Sequence, residues 1–474
     1  MKYHNKKVSE VQITYIGGGS KGWAWAFMTD LALEEAMSGT IRLYDIDKEA
    51  AEHNKIIGNR IGERKEAVGQ WIYEVYDDLD AALKGTDFVV ISILPGTFEE
   101  MDVDVHLPER LKIYQPVGDT VGPGGMMRGL RTVPAFVEFA NAIKRSAPSA
   151  WVINYTNPMS LCIQTLYHTF PDIKAFGCCH EVFGTQELLR KMIEEQLEEQ
   201  LEEQLGIVDV DRDEIHVNVL GINHFTWFDY AGYQGIDLFP CYREFVEKHY
   251  QQGYQEKEEN WLNNCFASAE RVKFDLFKKY GLIAAAGDRH LAEFISSEEY
   301  LKNPETVAKW KFALTKVSWR KEHLVERNAK SRRLITGQEE VELTPTGEEG
   351  IMLIKALCGL ERVISNVNIP NTALQIQNLP ATAVVETNAV FERDKIRPIV
   401  AGELPKAIHG LTIPHIENQA MILQAALNYD KELVVKAFMN DPLVMGHNCS
   451  ETEIRTLVED MIAGTRMALP KGWA

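Results

Sequence analysis

Three short stretches concentrate side chains able to do chemistry: Cys178-Cys179-His180-Glu181, Asn223-His224, and Gly287-Asp288-Arg289-His290. Thiolates and imidazoles ligate metals, while carboxylates and imidazoles transfer protons. Residue type alone does not separate these roles from ordinary ones. A buried Cys beside a surface His is the common arrangement, and an acid, a guanidinium and an imidazole together are usually a surface charge cluster. What distinguishes them is the framework that must hold them.

That framework opens on a nucleotide fingerprint. Val11 to Ile16 is an apolar run suited to a buried strand, and it leads into Gly17-Gly18-Gly19-Ser20-Lys21-Gly22, a G-x-G-x-x-G at Gly17, Gly19 and Gly22. Trp23 to Ala36 then has helical character. Such a glycine turn lets backbone approach a pyrophosphate, and the helix N-terminus supplies N–H groups to hold it. A second strand, Ile41 to Tyr44, ends at Asp45, 26 residues beyond Gly19. That is the place of a ribose-diol acceptor, and an acid there favours NAD over NADP.

Strand-like runs at Asp87–Ile93 and Ala150–Asn154 alternate with helical stretches at Ala50–Glu66 and Pro134–Ser146. The pattern predicts a doubly wound α/β fold of the Rossmann type, with an open parallel sheet. Ligands gather at the carboxyl ends of such strands, which puts Asn154 and Asn157 in reach of one. Gly118 to Arg131 is glycine-dense, holds Asp119, Arg128 and Arg131, and reads as a loop that closes on a ligand before a helix begins. Ile215 to Leu220 reads as a strand entering Asn223-His224. From Glu348 onward the expectation is mainly helices, among them Glu417–Asn428 and Leu433–Met439, broken by a loop at 366–382. A Glu-Glu-Gln-Leu unit repeats three times from Glu194 to Leu205 and predicts an acidic surface helix without chemistry of its own. Two domains are expected, 9–195 for the nucleotide and 206–474 for substrate, metal and oligomerisation.

Composition narrows the partners. With 474 residues, 45% hydrophobic and 25% charged, the chain is an ordinary globular one. A net charge of −19 disfavours nucleic acid and anionic membranes. No stretch approaches the roughly 18 apolar residues that span a bilayer. Seven cysteines, an odd number, suit a reducing compartment, so a cytoplasmic protein acting on a small molecule is expected.

Several motifs together resemble glycoside hydrolase family 4, the NAD- and divalent-metal-dependent glycosidases, over nearly the whole chain. They are Ile16-Gly17-Gly18-Gly19-Ser20, Gly118-Asp119-Thr120-Val121-Gly122-Pro123-Gly124-Gly125, Thr156-Asn157-Pro158, Cys179-His180-Glu181-Val182, Gly221-Ile222-Asn223-His224, Asn368-Ile369-Pro370-Asn371, Asn378-Leu379-Pro380 and Val384-Val385-Glu386. The resemblance implies a Rossmann domain with a lactate/malate dehydrogenase-like C-terminal α+β domain, and a homodimer or homotetramer. It implies Cys179 and His224 as ligands of a manganese ion, although softness alone would choose zinc for that pair. The Cys-His-Glu-Val tetrapeptide is similar to that of the group acting on α-galacturonides; α-galactosidases more often carry Cys-His-Ser-Val.

The family departs from the two-carboxylate glycosidases. Its chemistry implies hydride removal from sugar C3 to NAD, loss of the C2 proton, elimination at C1, water addition and return of the hydride. Asp288 matches the position of the family's base, and His180 would assist the leaving group. Asp119, Asn157, Glu181 and Asn223 would meet sugar hydroxyls or the nicotinamide side. Arg289, Arg128 or Arg131 would pair with a uronate carboxylate. The alternatives are an α-galactosidase or α-glucosidase of the same family, a 2-hydroxy-acid dehydrogenase on the same fold, and a nucleotide-binding regulator without turnover.

Overall fold

The computed structural model describes residues 1–201, 210–254 and 268–473. Six strands form the expected parallel sheet in the order Gln70–Tyr76, Met37–Tyr44, Lys7–Ile16, Phe88–Ile91, Trp151–Asn154 and Lys174–Gly177. Their runs are apolar because helices cover both faces, leaving Val89, Val90, Ile91, Val152 and Ile153 with no measurable exposure. The sheet does not end at Gly177. It continues into an antiparallel half made of Val363–Pro370, Val384–Glu392, Ile215–Ile222 and Phe225–Tyr233.

The seam between the halves places the chemistry. Gly177 pairs with Asn368, Asn368 with Glu386, and Glu386 with Gly221, so one row of residues crosses four strands. Cys179 lies two residues past the start of that row, and His224 three residues past its end. A Cβ at Gly177 would stand 2.6 Å from the Met159 sulfur and 3.0 Å from the Asn368 Cβ, so the seam closes only over glycine. Asn223 and His224 form the tight turn joining Ile215–Ile222 to Phe225–Tyr233, with His224 left-handed at φ 64°. Such a conformation is uncommon for a residue other than glycine.

Two expectations are corrected. The glycine-dense segment is not a loop up to Arg131: the helix begins at Gly122 and runs unbroken to Ser146, with Pro134 inside it. Its glycines serve packing, since a Cβ at Gly125 would lie 2.4 Å from the Thr120 carbonyl carbon and one at Gly129 would lie 2.7 Å from Leu161. The region after Glu348 is not mainly helical before residue 400. Val363–Pro370, Val384–Glu392 and Lys395–Pro398 are strands that pair in succession, and the first two also join the sheet through the distant Gly177 and Gly221. The later helices run over Lys406–Asn428 and Lys431–Asn440, the former against Gly122–Ser146. The helix Glu181–Leu201 contains the first two Glu-Glu-Gln-Leu units; the third, residues 202–205, lies outside the described residues. Among the described residues no helix is long and apolar enough to cross a membrane.

Candidate active site

The carboxyl ends of the parallel strands deliver Gly17–Gly22, Asp45, Asn157 and Cys179 to one edge of the sheet, as the topology of such folds requires. Gly17 has φ +93°, and a Cβ there would lie 2.0 Å from the Ser92 carbonyl oxygen. The Gly19 amide donates to Asp45 Oδ2 at 2.8 Å, and the Asp47 amide donates to Oδ1 at 2.9 Å. Asn54, fully buried on the next helix, holds the turn by donating to the carbonyls of Gly18 and Ser20. The helix Trp23–Leu33 begins at Gly22 with no side-chain cap and no acid in its first turn. Uncapped N–H groups behind a glycine turn, with an acid at the neighbouring strand end, are what a dinucleotide needs.

The second cluster is the more informative. Ligand atoms of Asp119, His224 and His290 all lie within 4.8 Å of one another. Thr120 Oγ1 donates to Asp119 Oδ1 at 2.7 Å, so its oxygen is left to accept the N–H of His224 Nδ1 at 2.8 Å. That fixes the tautomer and leaves His224 Nε2 with its lone pair, the state of a metal-ligating imidazole oriented from behind. Burial, with His290 adding to it, pushes His224 down to about 3, so it is neutral. Burial would raise Asp119, but Arg128, His290 and His224 outweigh it and hold the carboxyl well below its usual range. A neutral imidazole and an anionic carboxylate with a second imidazole suit a divalent cation, and the carboxylate supplies the hard oxygen that manganese prefers. Asp119 and His290 were absent from the ligand set expected on sequence.

Cys179 does not join this trio among the described residues. It is buried, and burial, Glu386 and Glu181 push its thiol well above the usual value, against N–H contacts from Glu181 and the Asn223 side chain. Asn223 therefore links the thiol to the His224 turn. Its amide also donates to Glu386 Oε2 at 3.5 Å, while Asn366 donates to Oε1 at 2.6 Å. Burial raises Glu386 to about 7 despite these donors.

Glu181 opens the helix after the Cys pair. Its Oε2 accepts the Gly287 amide at 2.7 Å, and its Oε1 lies 3.8 Å from His290 and 3.9 Å from His180. Burial is outweighed by His290 and His180, which hold the carboxyl at about 2. It faces imidazoles rather than an arginine. His180 itself has a half-exposed side chain, 3.5 Å from Glu348 and beside the Trp23 ring. His290 was named on sequence only as part of its segment; its place two positions after Asp288 would not have singled it out.

The other expected residues divide. Asp288 spends both oxygens on the backbone N–H groups of Val272 and Lys273, capping the helix Arg271–Tyr280. Arg131 is paired with Asp104 in the interior. Arg289 donates to the carbonyls of Pro116 and Ala313 and to Thr315. Arg128 lies 3.7 Å from Asp119, and Asn157 donates to Asp119 Oδ2 at 3.3 Å. Among the described residues, Asn157 Oδ1, Asn223 Oδ1, His290 Nδ1 and Arg128 Nε are buried without a hydrogen-bond partner. Buried polar atoms seldom stay unpaired, so four around one centre mark a place for a polar ligand.

Residues 12–195 match Family 4 glycosyl hydrolase, and residues 219–444 match Family 4 glycosyl hydrolase C-terminal domain. The chain is 65% identical to an alpha-galacturonidase of Lachnoclostridium phytofermentans over 473 residues, the full length of both. A crystal structure of a Bacillus subtilis relative, 50% identical, superposes with a TM-score of 0.88 over 96% of this chain and 100% of that one. A 6-phospho-alpha-glucosidase from gut microorganisms, in complex with NAD and Mn2+, shares the fold at 19% identity, with a TM-score of 0.78 over 97% of this chain and 99% of that one.

Glu386 yields a prediction for the metal-free protein. A buried acid raised to about 7 contributes stability that is present below its unfolded value of 4.5 and lost as pH rises through 7. E386Q removes that dependence. Urea unfolding in the presence of chelator should find the variant gaining on the parent by about 2–3 kcal/mol between pH 5 and pH 8.

Proposed function

We propose, for a chain that belongs to family 4 of the glycosyl hydrolases, that the Asp119–His224–His290 centre cleaves α-galacturonides. One observation carries the reading: on residues of that centre or bonded or adjacent to it, Asn157 Oδ1, Asn223 Oδ1 and His290 Nδ1 are buried without a hydrogen-bond partner among the described residues, and hydroxyl groups of a sugar are the donors that would satisfy the amide oxygens. The close relative's name supports a uronate as the sugar. Arg128 supports it physically, because a buried guanidinium whose Nε has no hydrogen-bond partner among the described residues, with Asp119 no nearer than 3.7 Å, has capacity for another anion.

When bound, NAD supplies a hydride acceptor and a divalent cation supplies a Lewis acid. Gly17, Gly19, Gly22 and Asp45 would hold the first; His224 and Asp119 would hold the second, joined by the Cys179 thiol, which Asn223 links to the same turn, once it gives up its proton. The chain's own residues do the rest. Asn157 and Asn223 orient the sugar hydroxyls. His290, neutral because burial lowers it, has an unpaired Nδ1 and Glu181 behind its other nitrogen, so it takes the C2 proton once C3 is oxidised. Glu181 then faces an imidazolium, which its low value favours. This moves the base from Asp288, whose oxygens are both engaged by backbone. His180, at the half-exposed mouth, delivers a proton to the departing oxygen. Elimination at C1, water addition, reprotonation at C2 and return of the hydride to C3 complete hydrolysis without net oxidation. A cytoplasmic homodimer or homotetramer belongs to the same reading, and the six free cysteines described suit that compartment.

With NAD, manganese and thiol, p-nitrophenyl α-galacturonide should be turned over and the α-galactoside and α-glucoside should not. R128K should lose about 100-fold in kcat/KM for the galacturonide. Equal turnover of the neutral sugars would remove the uronate assignment. The base is tested by solvent deuterium at C2 of the product. H290Q should slow its incorporation by about 10²-fold or more, whereas D288N should mainly lower the melting temperature. The reverse ranking would return the role to Asp288.

A further inference from the structure

We propose that Arg289 and Glu293 are positioning residues, a two-point clamp that sets the spacing between Asp119 and His290 and so tunes the cation centre. The proposal rests on the reading of Asp119 and His224 as ligands of that cation, with His290 facing them as the base.

Asp119 and His290 come from segments about 170 residues apart in sequence. The helix Asp288–Glu293 carries His290, and Arg289 and Glu293 sit four positions apart on one face of it. Both grip the three residues just before Asp119. Glu293 Oε1 accepts the N–H groups of Val117 at 2.7 Å and Gly118 at 2.9 Å, and the Arg289 guanidinium donates to the Pro116 carbonyl. Two successive amides aimed at one oxygen make a small nest. It requires the left-handed turn at Gly118, φ +64°, where a Cβ would lie 2.8 Å from Val105 Cγ2. The backbone is thus held at both its donors and its acceptor, immediately upstream of the residue that must meet His290.

The choice of residue types argues for position over stability. Glu293 has no measurable exposure, and among the described residues its Oε2 has no hydrogen-bond partner. Burying an acid and a guanidinium is costly, and well-packed apolar residues would hold two segments together at least as firmly. Apolar contacts slide, however, whereas a carboxyl oxygen on two amides fixes a distance. A shift of 1 Å is enough to spoil a ligand set.

The test is manganese binding, read by the electron paramagnetic resonance of free Mn2+, with NAD affinity measured alongside by fluorescence. The parent should bind manganese, and H224A should abolish that binding. E293A, which leaves both amides bare, should weaken manganese at least ten-fold with NAD affinity unchanged. E293Q, which keeps the accepting oxygen without the charge, should stay within three-fold of the parent. E293D, one methylene shorter, should fall between them, and it carries the comparison if E293A fails to fold. Parent-like manganese affinity in E293A or E293D would overturn the clamp, as would an E293Q as weak as E293A. Absence of binding in the parent, or its survival in H224A, would instead overturn the cation centre itself.

Discussion

The register at the seam of the sheet is the constraint on which the rest depends. Gly177, Asn368, Glu386 and Gly221 lie in one row across four strands, joined by three antiparallel pairings. Because side chains alternate faces with a period of two, a slip of one residue at any of these pairings would invert Asn368 or Glu386 and move Cys179 away from the Asn223-His224 turn. The glycines at both ends of the row admit the close approach. Everything chemical in the second half of the chain is reached from this row within three residues, except the segment that brings His290.

Charge around the centre is sorted rather than merely accumulated. Four buried carboxyls lie close by, and their surroundings pull them in opposite directions. Asp119 and Glu181 face imidazoles, and Asp119 also faces Arg128, so both stay anionic despite burial. Glu386 is surrounded by neutral amides and rises to about 7; Glu293, with backbone donors against strong burial, rises to about 8. Titratable groups driven apart in this way divide the roles of acid, base and fixed charge. Asp119 and Glu181 against the one Arg128 guanidinium leave the centre short of positive charge, which favours a cation there.

Much of this was legible in the chain before any coordinates, for local reasons. The glycine fingerprint, the strand that follows it and Asp45 are consecutive features of one supersecondary unit, so spacing sufficed. The helix starting at Gly122 was missed because so many glycines predict a loop; the packing of Gly125 on Thr120 and Gly129 on Leu161 overrides propensity. The strands at 363–398 pair with one another and reach the rest of the sheet only through Gly177 and Gly221, and periodicity does not report partners. The same limit explains Asp288 and His290. Both stand in one short segment, and only the fold tells which carboxylate or imidazole faces inward and which caps a neighbouring helix. Glu181 was expected to meet a sugar hydroxyl or an arginine, and it meets two histidines.

The central claim is that one cation sits between the His224 turn and the Asp119 loop, oriented by Thr120. Anomalous diffraction at the manganese edge, from crystals grown with NAD and Mn2+, tests it directly. The expected result is a single strong peak within bonding distance of His224 Nε2, on the side shared with Asp119 and Cys179. A peak elsewhere in the chain, or one bound through Nδ1 with Thr120 displaced, would contradict it.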